Sequence, residues 1–562
     1  MFDCLVLGHY EMDFESFVGR AQLEGTEGHN YRNLKLSFID VDGKPTRAID
    51  LLNGFRREQD PQARLLHNND YLWPVVLYLV SYLTRRGFAA DYVNLPHLER
   101  AALEHKLSRN EYRTIAITTT LQLSVDPIRE LIHFIRQRNS EARIIVGGPF
   151  VDNLRLTMAP DRLAQILSLL EADIYVMSPE GEDTLCRTID ALKQGRDLTT
   201  VPNITFEADG RLTMTRPEPE DNSLSENMID YAHFAREEFG AWAVLRTAKS
   251  CAYKCAYCSF PRRAGGYSYM DLETLERELD RVHRIGSIAT LTFIDDTMNV
   301  PKGRFKELLR LMIRRDYGFR WNCFLRVDQV DEETVRAMGA AGCEGVFLGM
   351  ESANADVLRN MDRGTRKEHY LRAVPWLKDA GLTVHMSFII GFPGETQSTI
   401  QESIELIDTV QPDFFRPYVW YADEASPIWS RKNELRVVGS AFHWKHETMD
   451  CATALDAYEN VFRSFASAEK LSIWQPEWGF DHYIPFYLKQ HGMELDRLKD
   501  FVRAFNSMVN LEFGGGHVTV TGAEQRHRYL SEMRRLSRAG DADASLTQST
   551  KRAYIAAAAA QR

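Results

Sequence analysis

Cysteine is scarce in this sequence. There are eight in 562 residues, and Cys4, Cys186, Cys323, Cys343 and Cys451 stand singly and far apart. That distribution excludes a secreted disulfide framework and leads us to expect reduced thiols in a cytoplasmic setting. Long apolar runs are missing too. The longest, Trp73–Leu83, falls short of the roughly 18 residues that cross a bilayer, so no membrane partner is expected. The opening MFDCLVLGHYEMDFE has no basic start and carries acids early, so no signal peptide is expected. There is no Lys/Arg block and the net charge is −11, which argues against nucleic acid as a partner. No Ser/His/Asp constellation stands out, so an ordinary activated nucleophile is not part of the expected chemistry. What is present, 44% hydrophobic and 26% charged residues, suffices for two or three domains with real cores.

The fold class expected is α/β with three parts. Over 1–215, strand-like runs DCLVLG (3–8), ADYVNL (90–95), RTIAITTT (113–120), ARIIVGGP (142–149) and ADIYVMSPEGE (172–182) alternate with helical ones such as PIRELIHFIRQRN (127–139). This alternation predicts a doubly wound, Rossmann-like parallel sheet. The stretch between Gly8 and the helical YLWPVVLYLVSYLTRRG (71–87) is expected to wrap that domain. Residues 216–235, rich in Pro, Glu, Asp and Asn, read as a linker.

From 236 to 422 the alternation resumes with AWAVLRTA (241–248), ATLTFID (289–295), FRWNCFLRV (319–327), EGVFLGME (344–351), TVHMSFIIGF (383–392) and DFFRPYVWY (413–421). Six such units predict a (β/α)6 partial barrel with functional residues at the C-terminal ends of its strands. Residues 423–540 read as a mostly helical domain that closes the barrel mouth and shapes substrate choice, and 541–562 as a flexible tail.

The remaining three cysteines are packed into SCAYKCAYCSFP (250–261): Cys251, Cys255 and Cys258. A structural zinc site takes four protein ligands, and three thiolates at this spacing fit instead a [4Fe–4S] cluster with one iron left open. The motif follows a predicted strand and lies in a loop, where ligands are readily presented. Tyr257 and Phe260 flank its last cysteine and would shield a cluster from water.

The segment CAYKCAYC (251–258) resembles the signature of radical S-adenosylmethionine (SAM) enzymes, whose barrel has the same number of strands. The resemblance implies that the open iron binds the amino and carboxylate groups of SAM. An electron, from a donor such as flavodoxin or ferredoxin, then cleaves SAM to methionine and a 5′-deoxyadenosyl radical. It also implies cofactor roles at other strand ends. Asp295 lies in IDDTMN (294–299), and Arg326, in FLRVD, would face the SAM carboxylate. Glu351 and Ser352, in GMES (349–352), would stand at the ribose, and Gly391, in IIGFPGET (389–396), near the adenine. Plainer roles are open to the same segments: Asp295 as a helix cap, Gly394 as a turn, Arg326 as a partner of Asp328.

The first domain resembles the cobalamin-binding domain that precedes the barrel in one large subclass of that family. The likeness rests on Gly147 and Gly148 of VGGP (146–149), Glu180 and Gly181 of MSPEGE (177–182), and Thr119 of TTTLQLS (118–124). The Asp-x-His-x-x-Gly motif that places histidine on cobalt is missing, so the resemblance implies cobalt without a protein histidine beneath it. His9, in LGHYE, is the nearby candidate and is expected to be solvated instead. A domain of this type that binds nothing is the alternative.

From DCLVLG through HNNDYLWP (67–74) to WQPEWGF (474–480), the chain is similar to the phosphinate P-methyltransferase group of cobalamin-dependent radical SAM enzymes. This implies an enzyme of natural-product, antibiotic-type biosynthesis acting on a small molecule or peptide. One SAM would re-methylate cobalamin and a second would yield the radical. That radical takes hydrogen from an unactivated C–H or P–H centre, which then receives the methyl group. Cyclisation, oxidation or rearrangement by the same cofactors is the rival, and a non-catalytic Fe–S redox protein is the rival from another class. In the last region Trp474, Trp478, His482 and Tyr483 could line a pocket or form core.

Overall fold

The computed structural model describes residues 1–69, 71–122, 124–466, 470–476, 483–490, 492–513 and 520–537. Trp478, His482 and the 541–562 tail lie outside them. Phe2–Leu7 (β1) reads FDCLVL, apolar almost throughout and buried along nearly its whole length, which is what a parallel strand covered on both faces requires. Phe38–Val41 (β2) and Lys44–Arg47 (β3) form a separate hairpin.

β1 lies one strand in from the edge of a seven-stranded sheet. Its partners are Ala90–Val93 (β4), Tyr112–Thr118 (β5), Arg143–Gly147 (β6), Ile174–Val176 (β7), Ile204–Ala208 (β8) and Arg211–Met214 (β9), in the order β4-β1-β5-β6-β7-β8-β9. The pairs through β7 are parallel. β8 and β9 pair antiparallel at one edge, which corrects the expectation of a purely parallel sheet. The short turn Asp209–Gly210 has positive φ at both residues and permits only a hairpin return there.

A second seven-stranded sheet is parallel throughout. Its strands are Trp242–Leu245 (β10), Thr290–Phe293 (β13), Arg320–Phe324 (β14), Cys343–Glu351 (β15), Thr383–Ile390 (β16), Phe414–Val419 (β17) and Ile473–Trp474 (β18), laid neighbour to neighbour in chain order. Between β10 and β13 a small antiparallel ribbon pairs Ala248–Lys249 (β11) with Ser268–Tyr269 (β12). All six expected barrel strands are present. The seventh, β18, comes from the C-terminal region, whose other described elements include the helices Cys451–Phe465, Ile484–Gln490, Leu495–Phe513 and Val520–Leu536.

The segment expected to wrap the first domain reaches elsewhere. Arg32 is buried between Asp456, at 2.6 Å, and Glu459, at 2.8 Å, on the helix Cys451–Phe465. Arg534 pairs with Glu58 at 2.7 Å. The physical reason is charge: Arg32 and Lys35 of the insertion meet carboxylates on the helix Cys451–Phe465, and its Glu58 meets a cation on the helix Val520–Leu536. The segment 216–235 is pinned at both ends. Glu218 N donates to Asn203 on the first sheet's side, and Ile229 N donates to the buried Glu278 of the barrel helix Leu272–Ile285. No described helix is long and apolar enough to cross a membrane.

Candidate functional site

A cavity of about 350 Å³ opens at the C-terminal ends of the second sheet's strands, within the size range of small-ligand sites. Cys251, Cys255 and Cys258 all line it. Backbone bonds hold their loop in place: Ala256 N donates to Met361 O and Ile428 N donates to Ala256 O, each at 2.8 Å. Burial raises the Cys251 thiol and pushes Cys258 up to about 12. These thiols therefore carry their protons until a metal displaces them. Among the described residues, Glu11, His67 and His97 are the one group of metal-ligating type whose ligand atoms all lie within 4.8 Å.

Opposite the cysteines, β15 ends on Glu351. Its φ is +65°, a left-handed conformation that costs a glutamate about 1–3 kcal/mol and persists only where the surroundings impose it. A register shift between Gly349 and Glu351 accompanies it, and the side chain folds back over Gly349. A Cβ on Gly349 would stand 2.2 Å from Glu351 Oε1 and would have to displace that carboxylate. Tyr257 Oη donates to that same oxygen at 3.0 Å. Arg363 donates to Tyr257 Oη at 2.8 Å and to Gly349 O, and stands 3.8 Å from Glu351. Burial raises the Glu351 carboxyl; Arg363 and the Tyr257 hydroxyl offset this only in part. Arg363 Nη1 also reaches Cys255 Sγ at 3.9 Å. The cysteine loop and the end of β15 are therefore one hydrogen-bonded unit.

Arg326 lines the cavity, with its guanidinium 3.7 Å over the Tyr253 ring. It also makes the plain contact foreseen for it, a 3.0 Å pair with Asp328. Asp295 does not reach the cavity, a correction with a clear cause. Its carboxylate accepts from Thr247 N at 2.6 Å, from Ala248 N at 2.9 Å and from the Thr247 hydroxyl, which holds the turn after β10. It is its neighbour Asp296 that lines the cavity.

Ser352 and Gly391 are likewise absent from the lining. Ser352 Oγ accepts from Asn354 N at 3.2 Å, at the start of the helix Ala355–Asn360. A Cβ on Gly391 would lie 2.5 Å from Trp444. Sequence reasoning noted the adjacent acids Asp295 and Asp296 and chose the first, and it passed over Arg363, His385, Arg416 and Gln475, all in the lining. Nothing local marks Arg363. Trp474, raised as a pocket or core residue, is core against Phe415, Tyr458 and Phe462. Tyr483 packs on Phe324 and Phe347, two of the lining residues.

The first sheet's expected cofactor residues gather at its own strand ends. Thr119 Oγ1 donates to Gly147 O at 2.9 Å and accepts from Phe150 N at 3.2 Å. A Cβ on Gly148, where φ is +105°, would stand 3.0 Å from Thr119 Oγ1, and one on Gly147 or Gly181 would meet Val176 at 3.1 and 3.2 Å. These glycines are accounted for by packing between neighbouring strands. Glu180 pairs with Lys249 at 2.7 Å, joining the first domain to the loop that leads into the cysteines. His9 is a correction: it is 4% exposed and stacked on Trp73 at 4.6 Å, not solvated.

The Radical SAM superfamily model matches residues 245–407, the stretch that contains the cysteine loop and Glu351. The chain carries a radical SAM domain. It is 26% identical over 309 residues to an uncharacterized methyltransferase of Pyrococcus horikoshii, covering 53% of this chain and 65% of that protein. It is 23% identical over 363 residues to the anaerobic magnesium-protoporphyrin IX monomethyl ester cyclase of Rubrivivax gelatinosus, covering 61% and 63%. The chain thus spans just under two thirds of the length of these curated relatives.

Among solved structures it is similar to the radical SAM methyltransferase TsrM of Kitasatospora setae, solved with tryptophan and a SAM analog. The TM-score is 0.56 at 18% identity, over 84% of this chain and 96% of that one. TsrM has also been solved with cobalamin and a [4Fe–4S] cluster bound. That likeness extends through both sheets and shows a shared architecture. The relatives from Pyrococcus horikoshii and Rubrivivax gelatinosus are a methyltransferase and a cyclase.

Proposed function

We propose that the protein is a cobalamin-dependent radical SAM methyltransferase acting on an unactivated C–H or P–H centre of a natural-product intermediate. The observation that carries this reading is one cavity. Three cysteines at radical SAM spacing and the Glu351–Arg363–Tyr257 unit share it inside the matched domain, next to a doubly wound sheet, and TsrM, similar in architecture, has been solved with cobalamin bound. When bound, the three cofactors supply a hydrogen-abstracting radical and a transferable methyl group.

Cys251, Cys255 and Cys258 would hold the cluster, and the donor set fits: thiols only, with a cation, Arg363, beside Cys255. Glu351 would accept hydrogen bonds from the ribose hydroxyls, its buried carboxylate gaining donors that Tyr257 alone does not supply. Arg326 and Asp296 are of the sign needed by the carboxylate and amino groups of SAM. The cavity wall away from the cysteines, with His385, Arg416 and Gln475, is left for substrate. The likeness to phosphinate P-methyltransferases makes a small phosphinic acid the first candidate to assay. A flavodoxin or ferredoxin would supply the electron.

The test counts products. A methyltransferase of this kind forms S-adenosylhomocysteine and 5′-deoxyadenosine in equal amounts, each matching methylated product, and passes a deuterated SAM methyl group into that product. The magnesium-protoporphyrin cyclase among the relatives favours one rival, in which the same cofactors cyclise or oxidise. 5′-Deoxyadenosine formed in step with an unmethylated product, without S-adenosylhomocysteine, would establish that rival.

A further inference from the structure

In a doubly wound sheet, ligands bind in the crevice outside the strand ends where the order reverses. Here that point lies between β1 and β5, because the chain leaves β1 for β4 on one side and builds β5, β6 and β7 on the other. The two loops flanking the crevice are tied together. His9 Nδ1 lies 3.2 Å from Thr120 O, and the Gln122 side chain donates to Tyr10 O. His9 therefore stands in the crevice as a buried imidazole just past the end of β1.

A metal-ligating histidine normally donates one ring N–H to an acceptor and offers the lone pair of the other nitrogen. His9 has nothing left to offer. Its Nε2 lies 3.0 Å from Glu11 Oε1, so each ring nitrogen faces an oxygen, a carbonyl or a carboxylate, that can only accept. The neighbouring histidines are fixed as well. Asn69 N donates to His67 Nδ1 at 3.1 Å and Glu11 N donates to His97 Nδ1 at 3.2 Å, so each ring keeps its hydrogen on Nε2. Glu11, His67 and His97 are close enough to surround an ion, yet no imidazole lone pair faces the space between them. Glu11 also receives His67 Nε2 at 3.5 Å and the Asn69 side-chain amide. Burial alone would raise the Glu11 carboxyl, but the hydrogen bonds from His67 and His9 outweigh it and hold the group well below the usual carboxylate range.

We propose that Glu11 is a positioning residue whose carboxylate occupies His9 Nε2 and so keeps the imidazole off the cobalt of bound cobalamin. The proposal rests on the reading that this sheet binds cobalamin. It explains how a histidine can stand buried at the switch point of a cobalamin domain without ligating the metal.

The test is electron paramagnetic resonance of the full chain loaded with cobalamin and reduced to cob(II)alamin. Wild type and Glu11→Gln, whose amide oxygen still accepts from Nε2–H, should show no imidazole nitrogen splitting. Glu11→Ala should acquire a nitrogen triplet, which becomes a doublet in protein labelled with 15N-histidine. That label separates imidazole from the cofactor's own base. The double variant Glu11→Ala/His9→Phe should lose the splitting, while His9→Phe alone should leave the wild-type spectrum unchanged. A wild-type imidazole triplet removed by His9→Phe overturns the proposal. So does a Glu11→Ala protein that retains cobalamin in full and shows no imidazole signal. If Glu11→Ala does not fold, His9→Phe still decides. A wild type that retains no cobalamin refutes the reading of the domain itself, and the proposal with it.

Discussion

The two sheets have seven strands each and differ in how the chain fills them. The first begins at an interior strand, adds one strand on one side and the rest on the other, and the second advances from each strand to its neighbour. Reversal leaves a crevice between two strands, whereas sequential addition curls the sheet around a central cavity. The contents differ in the same sense. At the first sheet's strand ends the polar groups satisfy one another: Thr119 bonds to Gly147, Glu180 to Lys249, and His9 to Glu11 and Thr120. At the second sheet's strand ends, thiols, carboxylates and guanidinium groups converge on space. A residue at a strand end is therefore not yet a ligand-binding residue; what matters is whether its hydrogen-bonding capacity is already spent.

The sharpest way to break this contrast is to empty one sheet's site and watch the other. Replacing Cys251, Cys255 and Cys258 together by alanine should take iron from about four per chain to none and abolish 5′-deoxyadenosine formation, while cobalamin retention is unchanged. Iron analysis and the charge-transfer absorbance report the first, and bound-corrin absorbance the second. Simultaneous loss of cobalamin would mean that the two sites are one unit.

Next in size is Glu351→Ala. It removes a charge-assisted acceptor worth about 1.5–3 kcal/mol, so SAM affinity should fall by roughly ten- to hundredfold with iron content intact. Titration of SAM into reconstituted protein measures this. Unchanged affinity would move the ribose contact to another residue. Gly349→Ala is the gentler version. The added Cβ must push aside the Glu351 carboxylate, 2.2 Å away, and Arg363 Nη2, 3.1 Å away, both ends of flexible side chains. The protein should fold and keep its iron, and SAM should weaken severalfold, on the order of 1 kcal/mol.

The sequence announced the second sheet more completely than the first. Six apolar runs, each followed by a helical pattern, give its strands, and Cys251, Cys255 and Cys258 mark the site because ligand spacing is local. Glu351 is legible from its place at a strand end. Arg363 is not, because its role arises from a three-dimensional meeting with Tyr257 and Gly349, far away in the chain. Asp295 and Asp296 look alike in sequence and point in opposite directions in the fold, a difference set by which of them meets the backbone amides of Thr247 and Ala248. In the first sheet, Gly147, Gly148 and Gly181 have the pattern of a ligand cradle and the contacts of close strand packing. The reach of the insertion toward the C-terminal helices depends on long-range partners, such as Glu459 for Arg32, that no local pattern names, whereas the Asp209–Gly210 turn of the antiparallel edge is local.

The last effect concerns what it costs the second sheet to bury unneutralised acids. Glu395 is fully buried in the turn after β16, where its carboxylate accepts from Gly391 N. Burial pushes its pKa from 4.5 to about 8, against the hydrogen bonds from Gly391 and Phe392. The folded-state value lies above the unfolded one, so its contribution to stability is complete below about pH 4.5 and is lost as pH rises through about 8. Within that window the loss is at most about 1.4 kcal/mol per pH unit. Glu278 and Glu344, each pushed by burial to about 7, tilt the protein the same way, so the raw pH dependence does not isolate one group. The difference between wild type and Glu395→Gln does. Glutamine keeps an acceptor for Gly391 N and cannot ionise, so the variant's unfolding temperature should fall less steeply between about pH 6 and pH 8 than that of the wild type. Parallel curves would mean that Glu395 is ionised when folded, and the second sheet would then tolerate a buried charge that its hydrogen bonds alone do not account for.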